Sequence, residues 1–427
     1  VNIRNIKITM NNIMRVIKQN YKNGVKGLWI FSDIQDLVCI RVYYYTGYRW
    51  ESRKHTGINH ILEHMIAKIL NDGEKAKKLR EKGIYYYKNA TTSYEYCSYY
   101  VIGHKENAEE LLDMMIDCFF NMNIDWSLLE AELASVAVEV YSKKNFDNTR
   151  LYLETLPRIM YDKHTGVYKC YLDHGDVAEN IKREDVENYL NNVYKTKMSQ
   201  WCFCGSVESI YGNPKLNKIS KIKCIPHKKT SVPKILENND RVYLSKKNSK
   251  VSTVVMSFYG VSMYDIDIYG ISLFKMMMSG LGLDSILSDV LRKKYKVAYS
   301  PRMMVEYGYD YGYLAFDINT KHDNVRKVID VLYEVIENLD EYMTENRFIL
   351  AHNALKLRAK KVKSVQELED YYGYKLLFNL PLETEMEVYN NHIKDIELSE
   401  LKDMIKKYLD VTNPNLVIQL GPINKIT

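Results

Sequence analysis

The chain has 427 residues, a net charge of +6 and 46% hydrophobic residues, which is enough for two to three domains with substantial cores. No run of about 18 apolar residues occurs, which argues against a membrane span, and the lysines are spread along the chain, which argues against a nucleic-acid-binding patch. The seven cysteines (Cys39, Cys97, Cys118, Cys170, Cys202, Cys204 and Cys224) are odd in number and lack a C-x-x-C pair, so neither a disulfide framework nor a cysteine zinc site is expected.

The opening stretch, Val1-Asn-Ile-Arg-Asn-Ile-Lys7, has no apolar h-region and no small-residue cleavage site, and a cytoplasmic protein is expected. The 37 tyrosines include the runs Tyr43-Tyr44-Tyr45 and Tyr85-Tyr86-Tyr87. Most fall in strand-like stretches, where tyrosine packs well, and they read as structural.

His60-Ile-Leu-Glu-His64 is the most informative segment. Read as a helix, it places His60 and His64 four residues apart on one face, where both rings can turn a nitrogen to one metal ion. Glu63 lies on the same side and can hold a water and take its proton. The order H-x-x-E-H reverses the H-E-x-x-H zinc motif and points to peptide-bond hydrolysis. A third protein ligand is expected, because hydrolytic zinc takes three and keeps a fourth position open.

Trp126 to Tyr141 supplies the candidate. Ser127 and Glu130 have capping-box spacing and predict a helix start. Glu132 and Glu139 follow two turns apart on one face. Leu133, Ala134, Val136, Ala137 and Val138 separate them, so a buried, metal-bound role is favoured for Glu139 over a place on a solvated face.

Cys202-Phe-Cys204 alternates on a predicted strand, where its thiols share a face as inert packing. Segments then recur at an offset of about 215 residues. Ile181 to Gly205 resembles Ile396 to Gly421, Asp36 to Tyr44 corresponds to Val251 to Tyr259, and the helix carrying Glu132 corresponds to Thr344 to Lys361. Two similar α+β units are expected, residues 1–220 and 235–427, divided in the polar stretch Ser206 to Asp240 with its three prolines. His60, Glu63 and His64 map near Leu273, Met276 and Met277, so the second unit is expected to lack a metal site. Arg292 and Tyr299 read by themselves as a helix-end cation and a strand aromatic.

These motifs resemble those of the pitrilysin, insulinase and mitochondrial processing peptidase family of inverzincins. Gly57 to Met65 resembles the family's G-x-x-H-x-x-E-H-M core, and Asn89-Ala-Thr-Thr resembles its N-A-x-T strand. Glu139 stands 75 residues after His64, with Glu132 seven residues before it, as the family's glutamates do. Asn23-Gly24 resembles its early turn, and the likeness runs on to Gly421.

The resemblance implies a two-domain member of single-subunit length and bacterial type. Its fold would be α+β, two tandem homologous domains of mixed sheet packed by helices, forming half of a clamshell. It implies one zinc ion per chain on His60, His64 and Glu139, with Glu63 as the base and Glu132 in support. Arg292 and Tyr299 match the context L-R-x-x-x-x-x-x-Y-S, whose Arg and Tyr steady the developing oxyanion. The strand holding Asn89, Ala90 and Thr91 would pair with an extended peptide substrate. The implied function is a zinc endopeptidase cutting peptides or flexible leader segments in a chamber of two subunits, either a homodimer or a heterodimer with a related subunit. The alternative is a non-catalytic scaffold or peptide-binding subunit of such a pair.

Overall fold

The computed structural model describes residues 5–10, 14–144, 151–163, 166–169, 173–174, 181–194, 199–221, 242–246, 251–412 and 414–420. Contacts gather the chain into two compact units.

The first unit is built on a seven-stranded sheet of order β1-β2-β3-β7-β4-β6-β5. Its strands are β1 (Asn5–Met10), β2 (Met14–Asn20), β3 (Lys26–Ser32), β4 (Leu37–Tyr44), β5 (Tyr86–Thr92), β6 (Cys97–His104) and β7 (Ser199–Gly205). All neighbours are antiparallel except β3 and β7, which run parallel. The β2–β3 hairpin turns at Asn23-Gly24, where Gly24 has φ 88° and the Asn23 side chain accepts from the Val25 N–H at 3.2 Å.

Strands β3, β4 and β7 are buried almost without interruption, as strands covered on both faces must be. The helices around the sheet are α1 (Ile58–Asp72), α2 (Glu74–Glu81), α3 (Ala108–Asn121), α4 (Leu129–Lys144) and α5 (Arg183–Tyr189). A further helix, Val365–Leu377, packs on β3, β4 and β7. An ion pair anchors it: Arg41 Nε on β4 lies 2.6 Å from Oε2 of the fully buried Glu369, and the Tyr43 hydroxyl donates to Glu369 Oε1 at 3.0 Å. Cys39, Cys202 and Cys204 are free and buried, and burial pushes their thiols up, as expected of inert packing.

The second unit repeats the plan. Its strands are β8 (Val242–Lys246), β9 (Ser252–Tyr259), β10 (Arg302–Tyr307), β11 (Gly312–Thr320) and β12 (Asn415–Leu420). They follow the order β10-β11-β9-β12-β8, the order of β5-β6-β4-β7-β3, with the one parallel pair in the same place. Its helices include α6 (Ile268–Lys275), α7 (Val325–Glu337), α8 (Glu345–Ala359) and α9 (Leu398–Lys406). The offset of 215 holds from β4 to β9 and from β6 to β11, and α8 follows α4 by 216.

The compact units are not simple halves of the sequence. Val362–Leu382 belongs to the first and Phe146–Tyr168 to the second. The first exchange follows from the Arg41–Glu369 pair. The second follows from hydrogen bonds on the second sheet: the Tyr161 hydroxyl donates to the Gly312 carbonyl at 2.8 Å, and the Tyr259 hydroxyl to the Met160 carbonyl at 2.6 Å. Of the polar stretch expected to divide the units, residues 206–221 fold with the first, burying Leu216 and Ile219. Residues 222–241, Gly421 and the start of the N-terminal stretch lie outside the described residues.

Candidate metal centre

The centre is carried by α1 and α4, which pack on each other. The start of α1 demands glycine, because Gly57 has φ 90° and a Cβ there would meet His174 Cβ at 3.0 Å. Gly57 offers no side chain to cap the helix, so the first N–H groups need another acceptor. Glu51 provides it. Its buried carboxylate accepts from the Gly57 N–H at 2.6 Å, from the Asn59 N–H at 2.8 Å and from Asn59 Nδ2 at 2.9 Å. Burial pushes its pKa up to about 7, against the opposing pull of those donors.

One turn into the helix, His60 is buried and His64 half-buried. Their Nε2 atoms lie 3.6 Å and 3.5 Å from a single atom, Glu139 Oε2 on α4. His60, His64 and Glu139 each offer one ligand atom, all within 4.8 Å of one another, and they form the one such group among the described residues. Three ligands of a tetrahedral zinc with bonds of about 2.0–2.1 Å stand roughly 3.4 Å apart. The set therefore fits zinc in both chemistry and spacing.

The surrounding charges hold the ligands in that orientation. His64 Nδ1 lies 2.9 Å from Glu132 Oε2, so this nitrogen carries the proton and Nε2 keeps its lone pair for a metal. Lys68 Nζ sits 3.2 Å from the other Glu132 oxygen. Lys143 Nζ sits 2.6 Å from Glu139 Oε1 and leaves Oε2 for the centre. The His174 ring packs 5.6 Å from the His60 ring, and burial, with His60 beside it, holds His174 well below the ordinary histidine range and so neutral.

Glu63 and the three ligand residues open on a cavity of about 640 Å³, which Asn89, Ala90 and Thr91 of β5 also line. β5 is the edge of its sheet. The Ala90 N–H is bonded to the Asn89 side chain at 2.9 Å and so faces away from β6. Arg292 and Tyr299 belong to the second unit, where the guanidinium carbon lies 4.4 Å from the Tyr299 ring centroid and the ring is 77% exposed.

Two expectations about α4 need correction. Ser127 does not cap it: Asp125 accepts from the Ser127 N–H ahead of a short 3₁₀ turn, Trp126–Leu128, and α4 starts at Leu129. Nor is the helix apolar all round. Val138 is 65% exposed, and the inward stripe is Leu129, Glu132, Val136 and Val140. The buried glutamate is Glu132, whereas the Glu139 side chain is about a third exposed, facing the cavity. In the second unit, of the three residues expected near the motif's positions, Leu273 and Met277 are core residues. The sequence reading missed Glu51 and His174. The signal for Glu51 was the helix start at Gly57, which has no capping side chain of its own.

Residues 31–168 match the family described as Insulinase (Peptidase family M16), and residues 180–355 match Peptidase M16 inactive domain. The chain belongs to this family, that of the pitrilysin and insulinase peptidases. It is 22% identical over 349 residues to an uncharacterized zinc protease of Rickettsia felis, covering 80% of this chain and 83% of that one. It is 24% identical over 200 residues to the mitochondrial-processing peptidase subunit beta of Caenorhabditis elegans, covering 45% and 39%. The fold is similar to the crystal structure of a peptidase M16 inactive domain from Pseudomonas fluorescens, with a TM-score of 0.82 at 15% identity over 96% of this chain and 98% of that one. No described helix is long and apolar enough to cross a membrane.

Proposed function

We propose that this chain is a zinc-dependent endopeptidase acting on peptides or flexible segments. The observation that carries the reading is the convergence of His60 Nε2 and His64 Nε2 on Glu139 Oε2, with Glu132 fixing the His64 tautomer from behind. Zinc held there would polarise a carbonyl and bring the pKa of water to about 7. Glu63 faces the same cavity; its carboxylate takes the proton of the attacking water and passes it to the nitrogen of the leaving amine. A substrate strand laid along the open edge of β5 is held by its backbone, which tolerates varied sequences. Arg292 and Tyr299 serve the metal centre of a partner subunit, where they steady the carbonyl oxygen as charge develops. The partner is a second copy or a related chain, in keeping with the similarity to a processing-peptidase subunit.

The test pairs metal content with activity. Elemental analysis is expected to find about one zinc per chain, nearly all of it lost in His64→Ala. Glu63→Gln is expected to keep zinc and peptide binding while cleavage of an unstructured fluorogenic peptide falls at least about 100-fold. Full zinc retention in His64→Ala would remove the ligand assignment, and cleavage within a few-fold of wild type in Glu63→Gln would remove the base.

A further inference from the structure

β5 runs antiparallel to α1. The Thr92 hydroxyl donates to the Asn59 carbonyl at the start of α1 (3.4 Å), and the Tyr86 hydroxyl to the Leu70 carbonyl near its end (2.8 Å). Side chains alternate along a strand, so residues 86, 88, 90 and 92 share the face toward α1. Lys88 therefore stands on the same face as Ala90, one repeat of about 7 Å further toward Leu70, and lines the same cavity as Glu63 and the ligands.

Three lysines line that cavity. Lys68 is taken up by Glu132 and Lys143 by Glu139. Lys88 has no ion pair among the described residues. Its ammonium lies 5.1 Å from the centroid of the Tyr86 ring. Arg80 is nearby and spends its own charge on Asp72, 3.7 Å away. Burial, then Arg80, hold the Lys88 ammonium below the ordinary lysine value, with Asp72 acting the other way. This cation is short of counter-charge and faces the cleft.

We propose that Lys88 selects acidic substrates, by pairing with an Asp or Glu side chain of a peptide laid along β5 on the side of the scissile bond that runs toward Leu70. The proposal rests on the peptidase reading of the site and names the substrate class. A charged residue on an open edge also discourages pairing with arbitrary strands, so a peptide carrying the opposite charge is the strand whose entry it favours.

The test uses unstructured labelled peptides matched except for one residue, Glu, Gln or Lys, scanned across the positions flanking a fixed bond. Binding to the full-length Glu63→Gln chain is read by fluorescence anisotropy. The Glu peptide is expected to bind about five-fold more tightly than the Gln peptide at one or two positions on one side. Raising the salt should shrink that preference. Adding Lys88→Met should abolish it, and adding Lys88→Glu should shift it to the Lys peptide. Equal binding of the Glu and Gln peptides at every position, a preference that survives Lys88→Met, or no binding at all overturns the proposal. Cleavage of the same peptides by wild type separates the two readings. Cleavage with no acidic preference sinks the selectivity and leaves the peptidase standing. A Lys88-dependent binding preference with no cleavage supports the selectivity and counts against the peptidase.

Discussion

The carboxylate of Glu51 stands in for the side-chain cap that Gly57 lacks, and it does so from a fully buried position behind the ligand helix. The consequence is a pH dependence. Burial moves Glu51 from its ordinary 4.5 up to about 7 in the folded chain. The folded state then holds the proton more tightly than the unfolded state does. Its contribution to stability is fully present below about pH 4.5 and is lost as the pH rises through about 7, a swing of up to about 3 kcal/mol. Glu51→Gln has nothing to titrate at this place. The stability of wild type relative to Glu51→Gln, read from urea midpoints in the presence of a chelator, should therefore fall between pH 5 and pH 8. A difference that stays flat across that range would mean that the N–H donors of Gly57 and Asn59 outweigh burial and keep Glu51 ionised throughout.

Among the elements, the helix Val365–Leu377 has a place that the sequence did not reveal, as does the exchanged segment Phe146–Tyr168. Those that were legible were so for physical reasons. The strands are runs of residues that suit a buried sheet, and the same eight-residue strands recur in β4 and β9. The His60–His64 motif puts its own ligands on one helical face. Glu139 was found by its spacing, although the burial argument attached to it belongs to Glu132, because spacing along a helix does not say which face meets the core. No local pattern shows that Arg41, in a strand of apolar residues, will find Glu369 more than 300 positions away. That pair shows what fixes the helix. Glu369→Ala leaves the Arg41 guanidinium buried, with only the half-exposed Asp370 at 2.6 Å to balance it. The expected loss is about 3 kcal/mol, seen as a lower denaturant midpoint. Arg41→Met combined with Glu369→Leu should recover most of that loss, since a buried ion pair and an apolar pair of similar volume differ little in stability. A double variant as weak as the single would show that the helix is held by something other than this pair.

Across the whole molecule, the two units share one strand order, and the proposed chemistry is divided between them. The candidate ligands His60, His64 and Glu139 lie in the first, and the second carries Arg292 and Tyr299 in contact. If Arg292 and Tyr299 act at the metal centre of a partner subunit, chains with different defects should rescue each other. Arg292→Ala and Glu63→Gln chains should each be inactive alone. After mixing under conditions that allow subunit exchange, a mixed pair has one intact composite site: the metal centre of the Arg292→Ala chain facing the second unit of the Glu63→Gln chain. Random pairing puts half of the chains in mixed pairs, each with one good site of two, so about a quarter of wild-type activity is expected if sites act independently. Sites completed within one chain would give no rescue, because every chain would carry its own defect. Light scattering on the purified chain identifies the remaining case: a monomer that is weakly active in every mixture marks a heterodimer, and the same complementation then has to be run with the related partner supplying Arg and Tyr.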